Sequence, residues 1–289
     1  MRHVYNANGE FPGTKLKGKE RYAKLYHYTS FESFVKIWLS KSLKFNSVKS
    51  VNDVIESVLR AQASNFLEAP LMKAYLDIRP QFKQISLTMD YDSYMKGCMS
   101  PCMWGYYADK KKGVCIELNY DKLNFPKDVL KGAVVYKELT KDATIIPTDV
   151  KTINQLISFI RHNSKEEFFT KHNSWKGENE YRIISRDDDF LDISNAIEAV
   201  HLTSYDSEEC LFVEKLVDGA VPVKYLHYIS SNGYILPVIT NTSDIRKQFE
   251  DAKNNPDNVL LKIQKQVDDF YQKHTDCYDL PLIMESFML

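Results

Sequence analysis

The residues best placed to do chemistry lie late in the chain, in the run from Trp175 to Ser185 (WKGENEYRIIS). Glu178 to Ser185 alternates in the manner of a strand, and successive strand side chains point to opposite faces. Glu178, Glu180, Arg182 and Ile184 then share one face, with same-face neighbours roughly 7 Å apart. Two carboxylates line up with a guanidinium, and Arg182 favours the ionised form of Glu180, so the group stays charged at neutral pH. An exposed edge strand that carries charge against aggregation would read the same way. Trp175, placed just before the strand with Lys171 and His172 nearby, argues instead for a site.

Two further constellations accompany it. In Leu25-Tyr26-His27-Tyr28-Thr29-Ser30, a His between two tyrosines can offer ring nitrogens and hydroxyls to a sugar or amide while the tyrosines stack on a planar ring. The plainer account is a satisfied core His, with Thr29 or Ser30 as a helix cap. In Met103-Trp104-Gly105-Tyr106-Tyr107-Ala108-Asp109, three large aromatics surround a glycine just before Lys110-Lys111-Lys112-Gly113. That suits stacking on a base or nicotinamide with lysines near a phosphate. An aromatic helix end packed on the core accounts for it equally well. Cys98 and Cys102 have no second Cys or His pair at finger-like spacing, so no metal is expected. There is no Walker-type or G-x-G-x-x-G loop, which argues against a Rossmann-type dinucleotide fold.

The elements that must position these residues follow from periodicity. Phe31, Phe34, Val35, Trp38 and Leu39 recur at helical spacing behind Thr29-Ser30. Leu43 to Asn46 reads as a short strand, and Asn52-Asp53 with Glu56 opens a helical region running to about Lys83. Val114 to Leu118 and Ala133 to Tyr136 read as strands, residues 152–171 as a long helix, and 211–217 and Tyr225 to Ile229 as further strands. Residues 243–275 hold two helical stretches broken at Asn255-Pro256. The expected fold is α+β, with a mixed or antiparallel sheet core and flanking helices. Residues 1–24 form a polar basic arm, 25–242 the main domain and 243–289 a helical appendage.

Composition limits the function classes. At 289 residues and 44% hydrophobic content the chain can bury a sizeable core. A net charge of -1 gives no global attraction to phosphate backbones or anionic lipid. No apolar run approaches the roughly 20 residues that span a bilayer, and the start has no signal-peptide pattern. Five scattered cysteines suit reduced thiols, so the expected location is cytoplasmic, with no membrane partner.

The joint order of L-Y-H-Y-T-S, K-F-N-S with N-D-V-I-E, M-W-G-Y-Y-A-D-K-K-K-G-V-C-I-E-L and W-K-G-E-N-E-Y-R-I-I resembles an uncharacterised bacterial family catalogued as domain of unknown function number 2971. The similarity runs over about residues 25–186, with Val54 where the family usually has Pro. Abortive-infection proteins are similar, which implies a phage-defence or toxin setting. A more distant resemblance is to ADP-ribosyltransferases of the His-Tyr-Glu type, and it implies an ADP-ribosyltransferase-like fold. It also implies that NAD is the substrate, that His27 holds the ribose and nicotinamide amide, and that Tyr106 or Tyr107 stacks. Glu180 would be the catalytic carboxylate and Glu178 the first Glu of an E-x-E pair. Tyr28, Thr29, Trp104 and Arg182 would complete the cofactor surface, Arg182 toward the pyrophosphate. The acceptor would be a protein or nucleic acid, with the C-terminal helices open to a partner protein. Two other readings stand beside this one. The first is a non-catalytic interaction module, an antitoxin or sensor subunit of a defence operon; the second is a magnesium-dependent nuclease or nucleotide hydrolase built on Glu178 and Glu180.

Overall fold

A computed structural model describes residues 18–47, 61–63, 69–93, 95–138, 144–147, 149–204, 207–231 and 234–254. The strands are β1 (Lys24–Thr29), β2 (Ser42–Lys44), β3 (Asn46–Ser47), β4 (Ala61–Ala63), β5 (Lys83–Met89), β6 (Val114–Asn119), β7 (Leu130–Ala133) and β8 (Val135–Lys137). They continue with β9 (Thr144–Ile146), β10 (Thr170–His172), β11 (Glu180–Ser185), β12 (Phe190–Asp192), β13 (Ile197–Leu202), β14 (Val223–Ser231) and β15 (Tyr234–Asn241). The helices are α1 (Phe31–Ser40), α2 (Ala69–Ile78), α3 (Pro101–Tyr107), α4 (Ile153–His162), α5 (Ser164–Phe168), α6 (Glu208–Val217) and α7 (Thr242–Asn254).

The fold is α+β around a mixed sheet of order β15-β14-β13-β6-β1-β5-β11-β7, with β3 also paired to β5. Its ladders are antiparallel except β13 with β14, which run parallel because α6 crosses between them. One sheet face presents Leu25, Ile85, Leu87, Ile116, Leu118 and Ile183 to Phe34 and Trp38 of α1 and Val213 of α6. Ser30 starts α1 by accepting the Ser33 N–H, and Phe34 and Trp38, four residues apart, fall on its buried side. The Trp38 indole N–H then donates to the Leu216 carbonyl at 3.0 Å and ties α1 to α6.

The other face is covered in two pieces. Trp104 and Met103 of α3 pack on Tyr26, Tyr28 and Cys115. Separately, Tyr75 of α2, Leu156 and Ile160 of α4 and Phe168 of α5 pack on Ile184. The gap between these two clusters is floored by β1, β5 and β11.

Several expected elements are corrected. The helical region does not run to Lys83: α2 ends at Ile78, a short turn spans Arg79–Gln81, and β5 begins at Lys83. Residues 52–60 and 64–68 of that expected helix lie outside the described residues, and Ala61–Ala63 within it is strand β4, not helix. The single helix over 152–171 is two helices parted at Asn163, followed by β10. Residues 211–217 are helix, not strand. Ser207 caps Cys210, and Cys210, Val213 and Val217 are buried at helical spacing, which outweighs the β-branched valines. The Ala133–Tyr136 strand divides at Val134, whose N–H donates to the Glu180 carbonyl. In the expected arm, residues 1–17 lie outside the described residues and Lys24 already belongs to β1. Of the expected appendage, α7 is helical and joins α6 through Arg246 and Glu214 at 2.7 Å, while 255–289 lie outside the described residues. No helix among the described residues is long and apolar enough to cross a membrane.

Gly113, which brings the chain from α3 back into β6, offers a test of this packing. A Cβ there would meet the Thr29 carbonyl oxygen at 2.2 Å and Ala108 backbone carbon at 2.9 Å, and neither is the end of a flexible side chain. Gly113→Ala should lower stability by about 3 kcal/mol, at the upper end of overpacking effects, read as a fall in the denaturation midpoint. An unchanged midpoint would refute this close approach.

Candidate functional site

Strand register assembles the site. Glu180 stands opposite Thr88, and Thr88 opposite Tyr26, so one row crosses β11, β5 and β1. Arg182 opposite Ser86 begins the next row on the same face. Above this floor lies a cavity of about 310 Å³, walled by Met103 and Tyr107 of α3 and by Lys171 and Glu178. Met103 and Tyr107 reach it together because residues four apart share a helix face.

Its electrostatic centre is a buried four-charge network. Arg182 Nε and Nη2 donate to the two Glu180 carboxylate oxygens at 2.7 and 2.8 Å, and Nη1 donates to the Phe168 carbonyl at 2.7 Å. Lys171 Nζ lies 2.6 Å from one Glu178 oxygen and 3.5 Å from Glu180. The Tyr107 hydroxyl donates to the other Glu178 oxygen. Lys171 also sits over the Trp175 ring at 4.7 Å. Glu180 is 4% exposed and Arg182 2%, so the strand face is neither solvated nor at a sheet edge.

The same surroundings drive the two carboxyls apart. Burial pushes the Glu180 carboxyl up, but the Arg182 guanidinium, with Lys171 and the Ser86 hydroxyl, overrides it and holds the group well below the usual range. For Glu178, burial and the Glu180 charge push the carboxyl up, and Lys171 and Tyr107 pull it back only part of the way.

Glu178 is not on the strand as its alternation predicts. A 3-10 turn over Asn173–Glu178 ends there, Asn179 adopts a left-handed conformation (φ 45°), and β11 starts at Glu180. Two Asn179 side-chain bonds, to the carbonyls of Met89 and Asp90 at 3.0 and 2.9 Å, hold this kink against the end of β5. Both carboxylates still enter the cavity.

His27 sits differently from its expected partner. It pairs opposite Ile116, so its Cα belongs to the core face, the reverse of the face that carries Glu180. His27 is nonetheless among the residues that line the cavity, at the point where the pairing of β1 with β5, registered at Leu25 and Tyr26, has ended. Burial lowers its pKa to about 4, against a hydrogen bond with the Ser86 backbone, so the ring is neutral at pH 7. Nδ1 is enclosed, with no hydrogen-bond partner among the described residues.

Of the other expected residues, the Tyr28 ring lines the cavity while its hydroxyl donates to the Gly97 carbonyl at 2.6 Å. The cavity lining does not take in Thr29, Trp104 or Tyr106. Trp104 is buried, donates to the Cys98 carbonyl at 2.8 Å and meets the Tyr28 ring edge-on. Tyr106 is 68% exposed. The floor residues Gln84, Ser86 and Thr88 went unread in the sequence, although they alternate with Ile85, Leu87 and Met89 in plain strand fashion. Among the described residues no group of three or more His, Cys, Asp or Glu side chains is placed to hold a metal.

The split carboxyls give stability a pH signature with two limbs. Glu180, depressed in the folded state, contributes stability present above the unfolded glutamate value of about 4.3 and lost as pH falls below it. Glu178, raised in the folded state, binds its proton more tightly when folded, so its contribution declines as pH rises through its folded value. Denaturation midpoints measured against pH should therefore show the acid limb reduced in Glu180→Gln and the decline above the ordinary glutamate value flattened in Glu178→Gln. Identical pH profiles in wild type and both variants would contradict the assignment.

No curated protein and no solved structure matches the chain. One family model does: it covers residues 103–183, from Met103 in the cavity wall to Ile183 in β11, and so includes Tyr107, Lys171, Glu178, Glu180 and Arg182. That family is described as "Protein of unknown function (DUF2971)", and over this segment the family resemblance read from the sequence is borne out.

Proposed function

We propose that the cavity is an active site for cleaving a glycosidic bond, with NAD as substrate in an ADP-ribosyltransferase-like reaction. The observation that carries this reading is the pair of carboxyls in one cavity whose surroundings drive their protonation apart. Two titratable groups separated in this way divide the roles of charge stabiliser and proton carrier. Glu180, ionised and fixed by Arg182, faces the positive charge that develops on the ribose as nicotinamide leaves. Glu178, between Tyr107 and Lys171, takes the proton of the attacking hydroxyl, whether water or an acceptor. The Ser86 and Thr88 hydroxyls offer hydrogen bonds to the ribose and the amide, while His27, its Nδ1 enclosed and its ring bonded to the Ser86 backbone, buttresses that floor and does not hold the ribose directly. The resemblance to abortive-infection proteins puts such an enzyme in a defence or toxin setting, where its expression would arrest growth.

A non-catalytic binding module is the second reading, and one observation favours it. Both Glu180 oxygens are already occupied by Arg182, as in a structural ion pair.

Nicotinamide release from NAD, followed by chromatography with and without divalent metal, separates the two. The enzymatic reading expects metal-independent release, with Glu178→Gln lowering kcat by about 10²-fold, within the usual range for a lost general base, while the Kd for NAD stays within a few-fold. NAD bound by the folded wild type without any nicotinamide release would favour the binding module. Absence of both binding and release would remove NAD from the proposal.

A further inference from the structure

A second arrangement of reactive groups lies outside the cavity. β8 and β10 pair in parallel with Lys137 beside His172, which brings Glu138, the next residue, against the start of the Asn173–Glu178 turn. Ser174 Oγ lies 2.8 Å from His172 Nδ1, and His172 Nε2 lies 3.0 Å from a Glu138 carboxylate oxygen. The other Glu138 oxygen accepts from the Asn173 side-chain amide at 3.0 Å. The Ser174 backbone N–H donates to Nδ1 at 3.2 Å, so in the neutral ring Nδ1 carries the lone pair and Nε2 the proton that Glu138 accepts. A hydroxyl facing the basic nitrogen, with a carboxylate orienting the other side of the ring, is the geometry of an activated nucleophile. Ser174 and Glu138 are exposed and His172 half-buried, so an electrophile can reach the hydroxyl from solvent.

From this geometry we infer that Ser174 is an activated serine, a site of covalent modification by small acyl or phosphoryl esters. The Ser174 N–H and the Asn173 amide are engaged with His172 and Glu138, which leaves the oxyanion of an adduct to water. The site therefore takes one group and holds it, with no rapid turnover. In the step, Ser174 Oγ bonds to the electrophilic carbon or phosphorus, the leaving group departs with the bonding pair, and the hydroxyl proton passes to His172 Nδ1.

The plainer role of His172 is to cap the turn through the Ser174 N–H, and the test is built to tell the two apart. The full chain is treated with a fluorophosphonate, which loses fluoride as Ser174 Oγ bonds to phosphorus, and adducts are mapped by peptide mass spectrometry. Ser174 should be labelled ahead of other exposed serines such as Ser40. His172→Asn keeps a capping side chain but removes the base, and should slow Ser174 labelling by about 10²-fold, as loss of a general base does. Glu138→Gln should give a smaller loss. No Ser174 adduct in the wild type, or equal labelling rates in wild type and His172→Asn, would overturn the proposal and leave His172 as a cap.

Discussion

The buried ion pair between Glu180 and Arg182 is the constraint on which the site rests. Removing two charges from water costs several kcal/mol per ion unless each finds a close partner and its remaining hydrogen bonds are met. Here the guanidinium fork meets both carboxylate oxygens, its third nitrogen finds the Phe168 carbonyl, and Lys171 lies 3.5 Å from the oxygen that Nη2 bonds. These demands fix the neighbourhood. β11 must run between β5 and β7, α5 must end with a carbonyl aimed at the sheet, and β10 must carry Lys171 inward. Losing either partner would strand a buried charge, at about 3–5 kcal/mol.

Asn179 converts that constraint into a site. A strand continued backwards through residue 178 would carry Glu178 along the same ladder as Glu180. The left-handed turn at Asn179 ends the strand instead, and a left-handed residue that is not glycine carries a conformational cost that local hydrogen bonds must offset. The two side-chain bonds from Asn179 to the end of β5, and the Met89 N–H donated to its carbonyl at 2.9 Å, supply that support. Glu178 is thus held by backbone geometry against Tyr107 of α3, and two segments 71 residues apart in sequence meet at one carboxylate.

Much of this was legible in the sequence, and the gaps have physical causes. The run WKGENEYRII announces a charged strand face, because alternation is a local signal, while the aromatic segment around Trp104 read equally as a helix end and as a stacking surface, and it is the last turns of a helix. The ion pair itself was legible from Glu180 and Arg182 two residues apart. What the pattern does not convey is burial on both faces. A strand with Arg182 on one side and Ile183 on the other reads as half-exposed, yet β11 is interior with all six residues buried. The β5 floor was missed because the expected helical region was carried to Lys83 past Pro80, which sits in the turn between α2 and β5 and marks the break. Helix α6 was misread because Val213 and Val217 outweighed the capping Ser207 over a short window. The face of His27 depends on the long-range pairing of β1 with β6, which no local pattern contains.

Charge balance bears on what part of a ligand the cavity can hold. Lys171 and Arg182 already satisfy Glu178 and Glu180, so a phosphate placed among them would gain little attraction and would lose its own hydration. The cavity of about 310 Å³ is at the small end of the roughly 300–1,000 Å³ typical of small-molecule sites. Its lining supplies tyrosine rings, hydroxyls and the side-chain amides of Asn46 and Gln84, which match an uncharged sugar and a planar amide better than an anion. On the NAD reading, the ribose and nicotinamide occupy the cavity while the pyrophosphate and adenosine stay outside it. Arg182, bonded to Glu180 and to the Phe168 carbonyl, is then an unsuitable pyrophosphate ligand, and its work is to hold a negative charge in place beneath the sugar.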